Sequence, residues 1–312
     1  MTLADLINSL GSTLKRQYGT PVFKLPVDAG FTCPNRDGSK ARGGCSFCNN
    51  AAFTPGTDRQ VSVTEQLQAG QAQIGQRARA PKYLAYFQAY TNTYADVHEL
   101  ARLYREALAV PDVIGLAIST RPDCVPPEVI GLLAELQAEG QTIWLELGLQ
   151  SAHTATLARL NRGHGFAEYQ QVARQARAYG VPVCAHLIIG LPGEDAHAIQ
   201  TSLLRVLDTG VDGLKLHPLH VVKGTRLAQH WQRGDYQPWS LAAYAATAAD
   251  LIELTPAEIV YHRVSGTAPA DYLLAPAWCS SRWDAINAIE RELRRRGSAQ
   301  GRQSTAAMAV AV

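Results

Sequence analysis

Residues 113–149 read VIGLAISTRPDCVPPEVIGLLAELQAEGQTIWLELGL and contain one complete structural repeat. Val113–Ser119 is a run of apolar, β-prone residues, Pro127–Ala138 reads as an amphipathic helix, and Thr142–Leu149 is a second apolar run. Pro126–Pro127 opens the helix, where a fixed φ suits the first turn and the missing N–H is not needed; Gly140 closes it. The two runs are nearly continuous rather than alternating, the pattern of strands covered on both faces. Strands of this kind joined by a helix run parallel, with a right-handed crossover.

The same unit recurs on either side. Apolar runs at Val22–Asp28, Lys82–Gln88, Pro182–Ile189 and Val211–Leu219 bring the number of predicted strands to six. Amphipathic segments at Val97–Ala109, Ala167–Tyr179 and Ala196–Asp208 lie between them. After the first strand the spacing is about 30 to 40 residues, one β-α repeat. The expected fold is α/β, an open partial barrel of six units with its active face at the carboxyl edge of the strands. Beyond the sixth unit the pattern predicts a helix near Leu241–Leu254, a short strand near Glu258–Val264 and a basic helix near Trp283–Arg296. No linker divides the chain, so one domain is expected over residues 1–297, with a core at about 18–230 and a C-terminal extension at about 231–297. Residues 298–312 read as a disordered tail.

Composition narrows the function classes. The 312 residues are 46% hydrophobic and 18% charged, too apolar for a disordered chain. Six cysteines are too few for a disulfide scaffold. The first residues, MTLADLINSLGSTLKRQYG, lack an apolar signal core, and no apolar run reaches the ~18 residues of a membrane span. A soluble, cytoplasmic protein is expected. The net charge of +2 conceals two ends, residues 1–60 and 282–312, each with three positive charges in excess, around an acidic middle. That distribution permits contact with phosphates but is also compatible with an ordinary solvated surface.

The densest chemistry follows the first predicted strand: Cys33-Pro-Asn-Arg-Asp-Gly-Ser-Lys-Ala-Arg-Gly-Gly-Cys45-Ser-Phe-Cys48. Pro34, Gly38, Gly43 and Gly44 let this loop turn tightly, so that three thiolates can converge. Thiolates favour zinc or an iron–sulfur cluster. A structural zinc site closes with four protein ligands, and no second close pair of cysteines exists; Cys124, Cys184 and Cys279 are isolated. Iron–sulfur clusters also ordinarily take four cysteines, so three ligands leave one iron open to a small molecule.

This loop resembles the three-cysteine motif of radical S-adenosylmethionine (SAM) enzymes, in a variant with eleven residues between the first two cysteines and the aromatic Phe47 before the last. Ile118-Ser-Thr-Arg-Pro-Asp123, Leu145-Glu-Leu-Gly-Leu-Gln-Ser151, Leu160-Asn-Arg-Gly-His164 and Gly213-Leu-Lys-Leu-His217 are similar to the branch containing the Elongator catalytic subunit. Tyr86-Phe-Gln-Ala-Tyr-Thr-Asn92 and Leu274-Ala-Pro-Ala-Trp-Cys279 resemble a smaller bacterial group, the YhcC-like proteins. The Elongator subunit carries an acetyltransferase domain after its radical SAM core; this sequence leaves no room for one, so acetyl-CoA chemistry is not expected.

The resemblance implies a partial (β/α)6 TIM-type barrel holding a 4Fe-4S cluster through Cys33, Cys45 and Cys48. SAM would chelate the open iron and, on reduction, yield a 5′-deoxyadenosyl radical that abstracts hydrogen from a substrate. Candidate SAM contacts are Gln88 and Tyr90 after the second strand, Ser119 and Arg121 after the third, Gln150 and Arg162 after the fourth, and Gly190 after the fifth. Arg162 is suited to pair with the methionine carboxylate. His186, His217 and His220 are candidates for facing the substrate, against the alternative that they are hydrogen-bonded scaffold. Expected partners are an electron donor such as a flavodoxin or ferredoxin, and tRNA, with a wobble uridine as the leading substrate. A small metabolite is the rival substrate, and a non-catalytic zinc or RNA-binding protein the rival class.

Overall fold

The computed structural model describes residues 2–52, 61–75 and 81–304. Nine strands are present among them: β1 (Val22–Val27), β2 (Lys82–Phe87), β3 (Val113–Thr120), β4 (Thr142–Gln150), β5 (Val183–Ile189), β6 (Gly213–Pro218), β7 (Val221–Val222), β8 (Val260–Arg263) and β9 (Leu273–Ala275). The helices are α1 (Leu10–Tyr18), α2 (Val63–Gly75), α3 (Val97–Leu108), α4 (Pro127–Ala138), α5 (Thr154–Arg159), α6 (Phe166–Ala178), α7 (Ala196–Asp208), α8 (Arg226–Gln232), α9 (Leu241–Leu254) and α10 (Arg282–Arg295). Every predicted strand and helix has its counterpart within two residues. The helix starts follow from local chemistry: side chains of Ser9, Asp96, Asp195, Thr225 and Ser240 each accept a bond from an otherwise unpaired first-turn N–H.

The main sheet runs β1-β2-β3-β4-β5-β6-β8, parallel throughout. The expected six-stranded barrel therefore has a seventh strand, contributed by the C-terminal extension. That extension is part of the barrel wall, since β8 pairs directly with β6. β7 and β9 form a separate antiparallel pair. The edge strands β1 and β8 are bridged by α1, which packs on both. The backbone N–H of Tyr261 donates to Asn8 O at 2.8 Å, and Ser9 pairs with Tyr261 as an isolated bridge.

Strand alternation sorts side chains into two populations. Leu25, Ala85, Leu116, Leu145, Leu147, Leu187, Leu216 and Tyr261 point outward into the main core under the helices. The inward set is layered. At the amino end, Leu10 and Leu14 of α1 pack with Leu84, Trp144 and Val260 into an apolar plug. Above it the interior turns polar and then opens at the carboxyl edge. Among the described residues no helix is long and apolar enough to cross a membrane.

Residues 298–304 do not form the disordered segment expected of them. Residues 298–304 are docked: Gln300 accepts from Asn8 N at 2.7 Å and donates to Pro256 O and Ile259 O at 2.7 and 2.8 Å. One amide side chain thus serves three backbone groups from both ends of the chain, which composition alone does not reveal. The remainder of the expected tail lies outside the described residues. Replacing Gln300 by alanine would orphan those groups and is expected to cost about 2 kcal/mol, read as a lower urea midpoint.

Candidate functional site

The cysteine loop leaves the carboxyl end of β1 and is fastened to the segment between α5 and α6. Asn35 Nδ2 donates to Asn161 O at 2.5 Å and to Arg162 O at 3.1 Å. Asn161 Nδ2 returns a bond to Gly44 O at 2.9 Å, and Ser46 N donates to Leu160 O at 3.0 Å. The adjacent Gly43 and Gly44 have φ of +77° and +75°, a left-handed pair that side chains with Cβ atoms resist. Lys40 adds an ion pair to Asp123 at 2.7 Å, tying the loop to the end of β3.

Donors surround the thiols. Arg162 Nη1 lies 3.3 Å from Cys45 Sγ, Asn35 Nδ2 3.6 Å from the same sulfur, and Arg36 Nη2 3.8 Å from Cys48 Sγ. Burial and the neighbouring Cys45 push the Cys48 thiol up, against the pull of Arg36 and Arg162. A metal bound there would supply the positive charge that favours its thiolate. All three cysteines are free of disulfides.

A cavity of about 460 Å³ adjoins the loop over the carboxyl ends of the strands, a volume typical of cofactor sites. Its walls include Gln88, Tyr90, Ser119, Arg121, Gln150 and Arg162, six positions expected to contact SAM, together with Phe47 of the loop. The three candidate histidines, His186, His217 and His220, line it as well. Tyr90 and Gln150, both on the cavity wall, hold positive φ values of 62° and 80°, uncommon for residues with side chains. Gly190 does not join them. Its carbonyl accepts from Tyr236 Oη at 2.8 Å, and a Cβ there would lie 3.4 Å from the Trp239 ring, so these aromatics cover it.

The two arginines differ. Arg121 is held in a fork by Asp123, with Nε–Oδ1 at 3.0 Å and Nη2–Oδ2 at 2.9 Å. Among the described residues Arg162 meets no carboxylate; besides Cys45 it donates to Gly148 O. Arg121 Nη1 and Arg162 Nε are buried without a hydrogen-bond partner among the described residues. Orphaned buried donors of this kind are costly unless a ligand meets them, and an anionic ligand beside the thiolates satisfies both.

Beneath the cavity is a polar cluster the sequence reading did not single out. The Glu146 carboxylate, fully buried, accepts from Lys215 Nζ at 2.5 Å, from Ser119 Oγ at 3.1 Å and from Lys24. His262 Nδ1 and His186 Nε2 complete its shell at 2.8 and 3.1 Å. Burial alone would raise the carboxyl, but Lys215, Lys24 and the two imidazoles outweigh it and hold Glu146 well below the ordinary carboxylate range. Burial and Lys215 lower His186 to about 4, so at neutral pH it is an uncharged donor. Lys215 also donates to Tyr86 Oη at 2.8 Å. Glu146, Cys184 and His186 lie close enough to share a cation, but two ammonium groups already neutralise that carboxylate. The available sequence signal was an isolated charge inside an apolar strand: Lys24, Glu146 and Lys215 each interrupt one, and burying a lone charge requires a partner.

Of the three cysteines outside the loop, burial raises all their thiols, Cys124 and Cys279 to about 12. They behave as small core residues.

Comparison with known proteins agrees with this geometry. The Radical SAM superfamily profile matches residues 35–206, and the Radical_SAM C-terminal domain profile matches residues 211–295. Protein YhcC of Escherichia coli (strain K12) is 49% identical over 306 residues, 97% of this chain and 98% of that protein. The tRNA uridine(34) acetyltransferase of Dehalococcoides mccartyi is 31% identical over 166 residues, 52% of this chain but 35% of that protein. Among solved structures, Elp3 of the archaeon Methanocaldococcus infernus superposes with a TM-score of 0.69 at 18% identity, covering 89% of this chain and 64% of that one, a likeness of fold. With three thiols at the carboxyl edge of a parallel half-barrel and both profiles matched in order, the chain belongs to the radical SAM superfamily, whose cofactors are a 4Fe-4S cluster and SAM.

Proposed function

We propose that the chain is a radical SAM enzyme in which Cys33, Cys45 and Cys48 ligate the cluster, SAM occupies the cavity beside them, and the substrate is a uridine of tRNA. The observation that carries the cofactor assignment is the pairing of a fastened three-thiol loop with orphaned arginine donors on a shared cavity wall. Bound there, the two cofactors supply one-electron cleavage of SAM and hydrogen-atom abstraction. The protein's own residues do the rest. Arg162 offsets thiolate charge at Cys45 and offers Nε to the methionine carboxylate, while Arg121, fixed by Asp123, supplies a second donor. Tyr90, Gln88 and Gln150 shape the walls, and the neutral His186 and His217 face the substrate end. Reduction of a cluster held there would require an electron donor of the flavodoxin or ferredoxin class.

The tRNA assignment is supported by the partial similarity to a tRNA uridine(34) acetyltransferase, over 52% of this chain. Two measurements test the proposal. Anaerobically reconstituted protein with dithionite and SAM is expected to release 5′-deoxyadenosine and methionine; no release from iron-loaded protein overturns the enzyme reading. Nucleosides of tRNA from a deletion strain are expected to lose a modification on uridine. An unchanged nucleoside profile, with no tRNA retained by the purified enzyme, overturns the substrate.

A further inference from the structure

We infer that the substrate carries an anionic group, a carboxylate or a phosphate ester, and that Arg263 binds it inside the barrel. The inference rests on reading the cavity as the active site and adds the chemical class of what enters it.

The first observation is how Arg263 comes to face inward. Along β8, Val260 and His262 belong to the interior by alternation, and Arg263 should point away. The strand is bulged against β6, however: Tyr261 pairs with Leu214 and Arg263 with Lys215, so the two residues His262 and Arg263 share the position of one. A bulge re-aims side chains in this way. Arg263 thereby lines the 460 Å³ cavity and also a second cavity of about 570 Å³, walled by the N-terminal segment and α10. It stands exposed where the two adjoin, with Thr267 beside it.

The second observation is charge. Among the described residues Glu146 is the carboxylate beneath this cavity; it pairs with Lys24 and Lys215, and with Arg263 on the cavity wall that leaves two positive charges in excess, Arg121 and Arg162 beside the cysteine loop left aside. The imidazoles do not alter that balance. Burial lowers His217 well below its ordinary value, His186 and His220 to about 4, and His262 to about 3. Among the described residues no carboxylate pairs with Arg263; its guanidinium lies 3.0 Å from Nδ1 of the neutral His217. Gly266 keeps this ring in place by close approach, since a Cβ there would lie 2.9 Å from the same nitrogen. A guanidinium at the mouth of a cavity, with no carboxylate partner among the described residues, matches the two oxygens of a carboxylate or phosphate by its fork. SAM does not meet this need, because the donors suited to its carboxylate, Arg162 and Arg121, stand beside the cysteine loop.

Calorimetric titration of the reconstituted, SAM-loaded protein with inorganic phosphate, and separately with acetate, tests the inference. One saturable site is expected, for phosphate if the substrate group is a phosphate ester and for acetate if it is a carboxylate. Arg263→Gln is expected to weaken it by about tenfold, less than for a buried charge pair because the side chain is exposed. Should that variant not fold, Arg263→Lys serves, since it keeps the charge but loses the fork; several-fold weaker binding is expected. Wild-type protein that takes up neither anion at millimolar concentration, or a variant that binds as tightly as wild type, overturns the anion site. SAM cleavage by the wild-type preparation is measured alongside, so a failure here is distinguishable from a failure of the radical SAM reading.

Discussion

Cys45→Ala is expected to leave a folded protein that has lost its cluster and cleaves SAM more than about 100-fold slower, a loss that even groups behind the ligands can produce at metal sites. Iron and sulfide should fall from about four each per chain towards zero. The substitution removes only one sulfur from a loop that remains anchored through Asn35, Asn161, Ser46 and Lys40, so the circular dichroism spectrum should not change. Cys279→Ala is the matched control: that thiol is equally buried, lies far from the loop in sequence, and its loss should spare the iron. Retained SAM cleavage in Cys45→Ala would refute the ligand assignment.

Glu146→Gln should be the most destabilising change in the barrel interior. The carboxylate has no exposed surface, and it compensates two lysines at once. Removing one partner of a buried ionic cluster typically costs about 3–5 kcal/mol, because the remaining charges are left in a low-dielectric site. For a chain of this size the melting temperature should drop by roughly 5–8 °C. Adding Lys215→Met should recover part of the loss, which a purely steric effect of the glutamine would not allow. The pH dependence has a definite sign. Glu146 is held below its unfolded value of about 4.3, so its stabilisation is complete above that pH and is lost as pH falls towards the folded value. Urea midpoints of wild type and Glu146→Gln should therefore differ most near pH 7 and converge below about pH 4. Equal midpoints at pH 7 would show that the cluster does not stabilise the barrel.

Much of this architecture was legible from the chain. Parallel strands announced themselves as uninterrupted apolar runs at Val113–Thr120 and Thr142–Gln150, because both faces of such strands are covered. The cysteine loop was legible because thiol spacing and paired glycines are local facts, and Gly43 and Gly44 do adopt the left-handed turns anticipated for them. What escaped depends on contacts distant in sequence. β8 counted as an appendage because four residues carry no mark of their partner; only the docking of Tyr261 between Leu214 and the N-terminal Asn8 makes it a wall of the barrel. Gln300 looked like tail for the same reason, its three partners lying at positions 8, 256 and 259. Glu146, Lys215 and Lys24 stood in plain view inside quoted runs, yet their meaning required knowing that three different strands point them at one spot. Gly190 was named for a ligand on local grounds alone, and its contacts with Tyr236 and Trp239, more than forty residues on, could not be read from the strand it follows.

The central claim is that three thiols hold a cluster with an iron left open to SAM. Electron paramagnetic resonance of the dithionite-reduced protein, recorded with and without SAM, tests it most directly. A signal from a reduced 4Fe-4S cluster that changes shape when SAM is added is predicted, and one that also shifts in Arg162→Gln would place the cofactor beside that side chain. A zinc-loaded protein with no such signal, or a cluster spectrum indifferent to SAM, would contradict the account.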